Sequence, residues 1–148
     1  MLATPKHFVG DGGTAWGSST SKYYSGGVWR GVDSERPEIE FIIDQGESRD
    51  DEVTLRSVHL RLYVVALEGG ARVVMASFSS WLETRIHAHK YLLTDVLKTE
   101  LKNSGFVVSD WGGIYQVSAN YDQAVAHGIN AGIDMCMVRR NIYASLWL

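Results

Sequence analysis

At 148 residues the chain is long enough for one domain with a real core, and 45% hydrophobic with 21% charged residues is the balance of a soluble globular protein. A formal net charge of −3 with no stripe of Lys or Arg argues against nucleic acid as a partner, and no apolar run reaches the roughly 18 residues a membrane span needs. The only cysteine, Cys136, excludes an internal disulfide, and Met1–His7 lacks the basic start and apolar centre of a signal peptide, so the chain reads as beginning inside a domain and its compartment stays open.

Residues 7–9 read as the end of a short strand. A segment rich in Gly, Ser and aromatics follows, from Gly10 to Arg49; connections that long are functional or disordered when they carry no structure of their own. Asp50 or Asp51 caps a helix over 51–68, with Leu55, Val58, Leu62, Val65 and Ala66 on one face and Gly69-Gly70 as its end. Arg72 to Phe78 is apolar and unbroken, as a strand buried on both faces should be. A loop, Ser79 to His87, leads to a second helix over 89–102, whose inner face is Leu92, Leu93, Val96, Leu97 and Leu101. Ser104-Gly105 breaks it, and Phe106 to Ser109 is the next strand. A third helix over 121–131 carries Ala124, Val125, Gly128 and Ile129 on one side. Asp134 to Val138 is the last strand and holds Cys136 as a buried, inert thiol.

The order β, long loop, α, β, α, β, α, β predicts an α/β fold with a parallel sheet and right-handed crossovers. Four strands and three helices make either a small open sheet or half of an eight-stranded barrel, and periodicity does not choose between them. Lys6-His7 at the first strand, Ser79-Ser80-Trp81 after the second and Asp110-Trp111 after the third all lie at strand ends, which parallel pairing gathers on one side. Taken alone, Ser109-Asp110-Trp111 also reads as a turn in which Asp110 caps the next helix. A carboxylate beside Trp, Lys and His suits sugar chemistry: the carboxylate attacks or stabilises an anomeric carbon, the indole stacks on the ring, and Lys and His donate to hydroxyls. Trp16, Tyr23, Tyr24 and Trp29 fit a sugar platform or plain packing under the long segment. His87-Ala88-His89 has the alternation of a metal pair but no third ligand in sight, and Gly10-Asp-Gly-Gly13 lacks the spacing of a phosphate or dinucleotide loop. Neither metal nor cofactor is expected. Asp50-Asp51-Glu52 is a helix start favoured by the macrodipole.

Lys6-His-Phe-Val-Gly-Asp-Gly-Gly-Thr14, Asp44-Gln-Gly46, Val74-Met-Ala-Ser-Phe-Ser-Ser-Trp81, His89-Lys-Tyr-Leu-Leu-Thr-Asp-Val-Leu-Lys98, Gly105 to Gly113 and Asn130-Ala-Gly-Ile-Asp-Met135 occur in this order. Together they resemble the N-terminal domain of family 3 glycoside hydrolases, in the β-glucosidase and exo-β-glucanase branch, over residues 3–138. The resemblance implies one domain over 1–148, a partial (β/α)8 TIM-type barrel matching about its second half, with a tail at 139–148 that no longer follows the family. It implies a retaining hydrolase of β-D-glucosides or β-glucan oligosaccharides in which Asp110 is the nucleophile, Lys6 and His7 bind hydroxyls of the glucosyl unit, and Trp111 is the aromatic beside the sugar. The N-acetylglucosaminidase branch carries a His/Asp acid-base pair on the loop after its Lys-His motif; here that loop is Val9-Gly-Asp-Gly-Gly-Thr14, which favours the glucosidase branch. That branch takes its acid/base Glu from a second domain, so the resemblance implies a truncated piece with impaired activity that self-associates or needs the complementary domain. The alternative is a non-catalytic fragment with weak sugar binding or an assembly role. Phe78 stands where some relatives carry Tyr, Leu82-Glu83 where they usually carry Asn-Gly, and Arg61 where Pro is common.

Overall fold

A computed structural model describes residues 2–16, 18, 23–25, 28–30 and 45–138, with backbone alone for 23–25 and 28–30. Asp44, the side chains of Tyr23, Tyr24 and Trp29, and the tail 139–148 lie outside the described residues.

Seven strands are described: β1 (Tyr23–Ser25), β2 (Val28–Arg30), β3 (Glu47–Ser48), β4 (Val73–Met75), β5 (Ser80–Trp81), β6 (Thr84–Arg85) and β7 (Phe106–Val108). The centre is parallel: β4 pairs with β7, Val73 beside Phe106 and Met75 beside Val108. Parallel bridges extend this pair on both sides, Phe8 to Ala76 and Val108 to Met135. The four segments expected as strands therefore lie in the order 8, β4, β7, 135, although the outer two pair through a single bridge each. β1 and β2 pair antiparallel, and β3, β5 and β6 form a small mixed sheet. The expected loop at Ser79–His87 is thus not structureless: it holds β5, a tight turn, β6 and a 3-10 turn at Ile86–Ala88.

The three expected helices form. The first runs unbroken through Glu52–Thr54, a π-wound Leu55–Leu60 and Arg61–Glu68. Asp51 is its cap, accepting the Thr54 N–H at 2.7 Å, an interaction that holds its carboxyl below the usual range. Asp50 instead pairs with His59 at 2.9 Å. The buried face is not the expected one. Leu55, Leu60, Tyr63 and Leu67 enter the core, whereas Val58, Leu62 and Val65 are more than half exposed. Phe8 meets Tyr63 on this face edge to face, with ring centroids 5.0 Å apart. The second helix, Tyr91–Glu100, buries Leu92, Leu93, Val96 and Leu97 as its periodicity requires. The third, Tyr121–Ala131, is capped by Asn120, which accepts the Gln123 N–H. It buries Ala124, Gly128 and Ala131 and leaves Ile129 exposed. It ends at Gly132, whose φ of +122° suits only glycine.

These helices pack on Phe8, Val74, Ala76 and Val107 in one core with Trp81, Ile86 and Ile133. Close packing reaches the backbone at Gly105, where a Cβ would lie 1.6 Å from the Arg72 carbonyl oxygen. That approach lets the Phe106 N–H reach the same oxygen at 3.0 Å and start the β4–β7 ladder. Cys136 is only half-buried, and burial pushes its thiol up, away from the reactive thiolate.

Candidate active site

The site follows from the strand register. Phe8 sits beside Ala76, and Val108 beside Met75, so the residues at the two flanking ends meet over the end of β4. His7 Nε2 lies 3.3 Å from Asp110 Oδ2. The other ring nitrogen, Nδ1, lies 3.4 Å from Asp11 Oδ2. Asp11 opens a 3-10 turn at Asp11–Gly13, four residues after His7. Its second oxygen accepts from Ser77 Oγ at 3.4 Å, just beyond β4. One imidazole is thus held between two carboxylates from two different strand ends.

Asp110 is the first residue past the β7 ladder, which closes with the Ser109 N–H on Met135 O at 2.8 Å. The carboxylate is partly open to solvent at 18%. Its Oδ1 accepts the Trp111 N–H at 2.6 Å, leaving Oδ2 for His7. The Asp110 carbonyl accepts from Gly113 N–H at 3.0 Å and from Ser109 Oγ at 2.9 Å. The Asp110 N–H goes to a side chain, His87 Nε2, at 3.0 Å. Trp111, half exposed, presents an indole at the rim. Lys6 is exposed and makes no ion pair among the described residues.

His87 is fully buried, and burial with the nearby Arg85 charge pushes it down to about 3, so it is a neutral ring. Phe78 meets it edge-on, centroids 5.7 Å apart. Arg85 itself spans the loop, donating to Gln45 O at 2.6 Å and Phe78 O at 3.0 Å; burial lowers its affinity for its proton. Tyr63 is raised by burial first and by the Asp11 charge second.

Of the expected site residues, the fold brings His7, Asp110 and Trp111 together. Asp11 and His87 are members that the sequence reading misses. Asp11 is hidden in a glycine loop that suggests only phosphate, though its spacing from His7 is readable. His87 invites attention only as a metal ligand paired with His89. The two rings part company: His89 lies against Trp81, centroids 5.4 Å apart, and its Nδ1 accepts the Leu92 N–H at 3.4 Å. Among the described residues no group of three or more His, Cys, Asp or Glu is arranged for a metal. The Ser79-Ser80-Trp81 cluster is buried rather than exposed at the mouth. Ser79 bonds Ser77 Oγ at 2.8 Å, and Trp81 Nε1 donates to Asp50 O at 2.8 Å.

The chain is similar to an exo-1,3/1,4-β-glucanase from a Pseudoalteromonas species, with a TM-score of 0.72 and 41% identity over 97% of this chain and 15% of that one. A β-glucosidase of Wickerhamomyces anomalus is 26% identical over 93% of this chain and 15% of its own length. The thermostable β-glucosidase B of Acetivibrio thermocellus is 35% identical over 59% of this chain and 11% of its own length. The chain therefore spans under a fifth of these relatives. The model of the glycosyl hydrolase family 3 N terminal domain matches residues 43–146. The chain belongs to that family.

Proposed function

We propose that these 148 residues carry the nucleophile side of a retaining β-D-glucoside hydrolase site, on one domain that is part of a (β/α)8 TIM-type barrel. The observation that carries this reading is the 3.3 Å approach of His7 to the Asp110 carboxylate, at the ends of parallel strands, with Trp111 half exposed next to it. Asp110 Oδ2 attacks the anomeric carbon, the bond to the leaving oxygen breaks, and a glycosyl-enzyme forms. Lys6 and His7 donate to hydroxyls of the glucosyl unit, and Trp111 offers its face to the ring. Family membership and the likeness to an exo-1,3/1,4-β-glucanase support a β-glucoside or β-glucan oligosaccharide as substrate. The reaction needs no cofactor.

The acid that protonates the leaving oxygen comes in this reading from a complementary domain, as the family resemblance implies. General acid catalysis contributes roughly 10²–10⁴-fold, so the chain alone leaves cellobiose untouched. The exposed Val58, Leu62 and Val65 face of the first helix supports association with that domain or with a second copy.

An activated 2-deoxy-2-fluoro-β-glucoside tests the nucleophile, since a dinitrophenolate leaves without acid help and the fluorine slows release. Intact-mass spectrometry with peptide mapping is expected to find one added glycosyl group on Asp110, lost in Asp110→Asn. Labelling of another carboxylate rejects the assignment. A folded but unlabelled protein favours the non-catalytic, sugar-binding alternative.

A further inference from the structure

We propose that His87 is the positioning residue of Asp110: its neutral imidazole replaces a strand partner and aims the carboxylate by holding the Asp110 amide. This rests on the reading of Asp110 as nucleophile. β7 hands its last backbone N–H to Met135 through Ser109. One residue later the Asp110 N–H turns out of the sheet to His87 Nε2 at 3.0 Å. The Asp110 carbonyl is already tied to Gly113 N–H and Ser109 Oγ. The amide is therefore the remaining backbone handle of Asp110, and His87 holds it, while the Trp111 N–H holds Oδ1 of the carboxylate itself.

The geometry around the ring is specific. A ring nitrogen that accepts an N–H cannot carry a proton, so the single proton of the neutral ring is on Nδ1. Gly113 lies flat on the imidazole: a Cβ there would stand 2.4 Å from both Cε1 and Nε2. Phe78 closes another side of the ring edge-on. Three separate segments, the end of β4's chain, the 3-10 turn that bears His87, and the Gly112-Gly113 turn after Asp110, thus clamp a side chain that is 1% exposed. The third helix reaches the same place, since a Cβ on Gly128 would lie 3.5 Å from the His87 carbonyl. A buried imidazole has little packing advantage over an apolar side chain, and its desolvation is costly. Its place here is explained by the backbone donor it satisfies.

The test uses the full chain and two substitutions. Gln at position 87 puts an amide oxygen near the place of Nε2 and can accept; Leu fills similar space and cannot. With the 2-fluoro-glucoside above, His87→Leu is expected to lower the rate constant of labelling at Asp110 by about 10–100-fold, with the probe's apparent dissociation constant within about 3-fold of wild type. His87→Gln is expected to stay within about 3-fold in both. Circular dichroism and a cooperative melt confirm folding. In the wild-type protein, ¹⁵N-NMR is expected to show His87 Nε2 unprotonated, and the Asp110 amide slow to exchange. Equal labelling by wild type and folded His87→Leu overturns the proposal, as does a protonated Nε2. If His87→Leu does not fold, the wild-type tautomer and the His87→Gln rates decide. If wild type is not labelled at Asp110, the nucleophile reading fails, while amide exchange at Asp110 (slow in wild type and Gln, fast in Leu) still judges His87.

Discussion

The turn between β5 and β6 stores strain that two substitutions remove. The register pairs Trp81 with Thr84, leaving Leu82 and Glu83 as a two-residue loop. Their φ angles are +49° and +63°, the left-handed pair of a type I′ turn, for which Asn-Gly is the favoured sequence. Left-handed backbone costs a non-glycine residue about 1–2 kcal/mol. Leu82 is 67% exposed, so replacing it gives up little burial. The Glu83 N–H to Glu47 Oε1 bond, at 2.9 Å, is backbone-donated and survives substitution. Leu82→Asn/Glu83→Gly thus relieves about 2–4 kcal/mol of strain. Glycine returns about 0.5–1 kcal/mol through chain entropy, and asparagine keeps part of its own left-handed cost, so the net gain is about 1–2 kcal/mol. Urea unfolding followed by circular dichroism is expected to show a higher midpoint at unchanged slope, and Tm is expected to rise by about 2–8 °C. An unchanged or lower midpoint refutes the assignment of strain to this turn.

Burial that holds His87 near 3, against an ordinary 6.5, makes folding stability fall as the pH drops from 6.5 toward 3, because only the unfolded chain binds the proton. His87→Gln removes this term, so the slope of stability against pH between 6 and 4 is expected to flatten by up to about 1.4 kcal/mol per unit, read from urea midpoints in a pH series; an unchanged slope contradicts the buried neutral ring. Gly105→Ala places a Cβ against Arg72 O and is expected to separate β4 from β7, giving insoluble protein or a melt lowered by more than about 10 °C, about 3 kcal/mol or more; near-wild-type melting would refute the close approach. Arg56 joins Glu52 of the first helix to Glu100 of the second, at 2.8 Å each, across partly exposed surface. Arg56→Ala is expected to lower the midpoint slightly, and the loss is expected to shrink in about 1 M NaCl.

The legible parts of this fold share one property: the signal and its cause are local. Asp51 and the glycines at 69 and 70 mark the ends of the first helix through hydrogen bonds within four residues. The second helix, whose four core leucine and valine positions repeat at helical spacing, is readable for the same reason. The first helix misleads because it is apolar on two sides. Leu55-Val58-Leu62-Val65 and Leu60-Tyr63-Leu67 both make helical stripes, and packing against distant core residues, such as the Phe8–Tyr63 contact across 55 positions of sequence, selects between them. The hairpin of β5 and β6 is hidden because Leu82-Glu83 carries none of the composition that announces a type I′ turn. The site shows the same division. Asp110 and His7 are found from their places at strand ends. His87 acts through a partner 23 positions away, Asp110, and Asp11, although only four residues from His7, is tied to Ser77 across 66 positions; nothing in a one-dimensional pattern reports these long pairings.

Two histidines then serve one carboxylate in opposite senses. His87 is enclosed, neutral and an acceptor, and it acts on Asp110 through the backbone amide. His7 is partly open and faces carboxylates with both nitrogens, 3.3 Å from Asp110 and 3.4 Å from Asp11. A neutral imidazole has one ring proton and serves one of these carboxylates; an imidazolium serves both. The two distances are long for hydrogen bonds, so neither contact is closed tightly, and an incoming hydroxyl can enter between ring and carboxylate without breaking a strong bond. The Trp111 N–H, at 2.6 Å on Oδ1, is the firm contact. It binds the oxygen that does not face His7 and leaves Oδ2 to the longer His7 contact. A carboxylate used only to cap a turn would be satisfied by that N–H alone and would have no reason to meet an imidazole from a strand end two places across the sheet. One oxygen anchored and the other facing a loosely held donor is an arrangement that supports the proposed role of Asp110 as nucleophile.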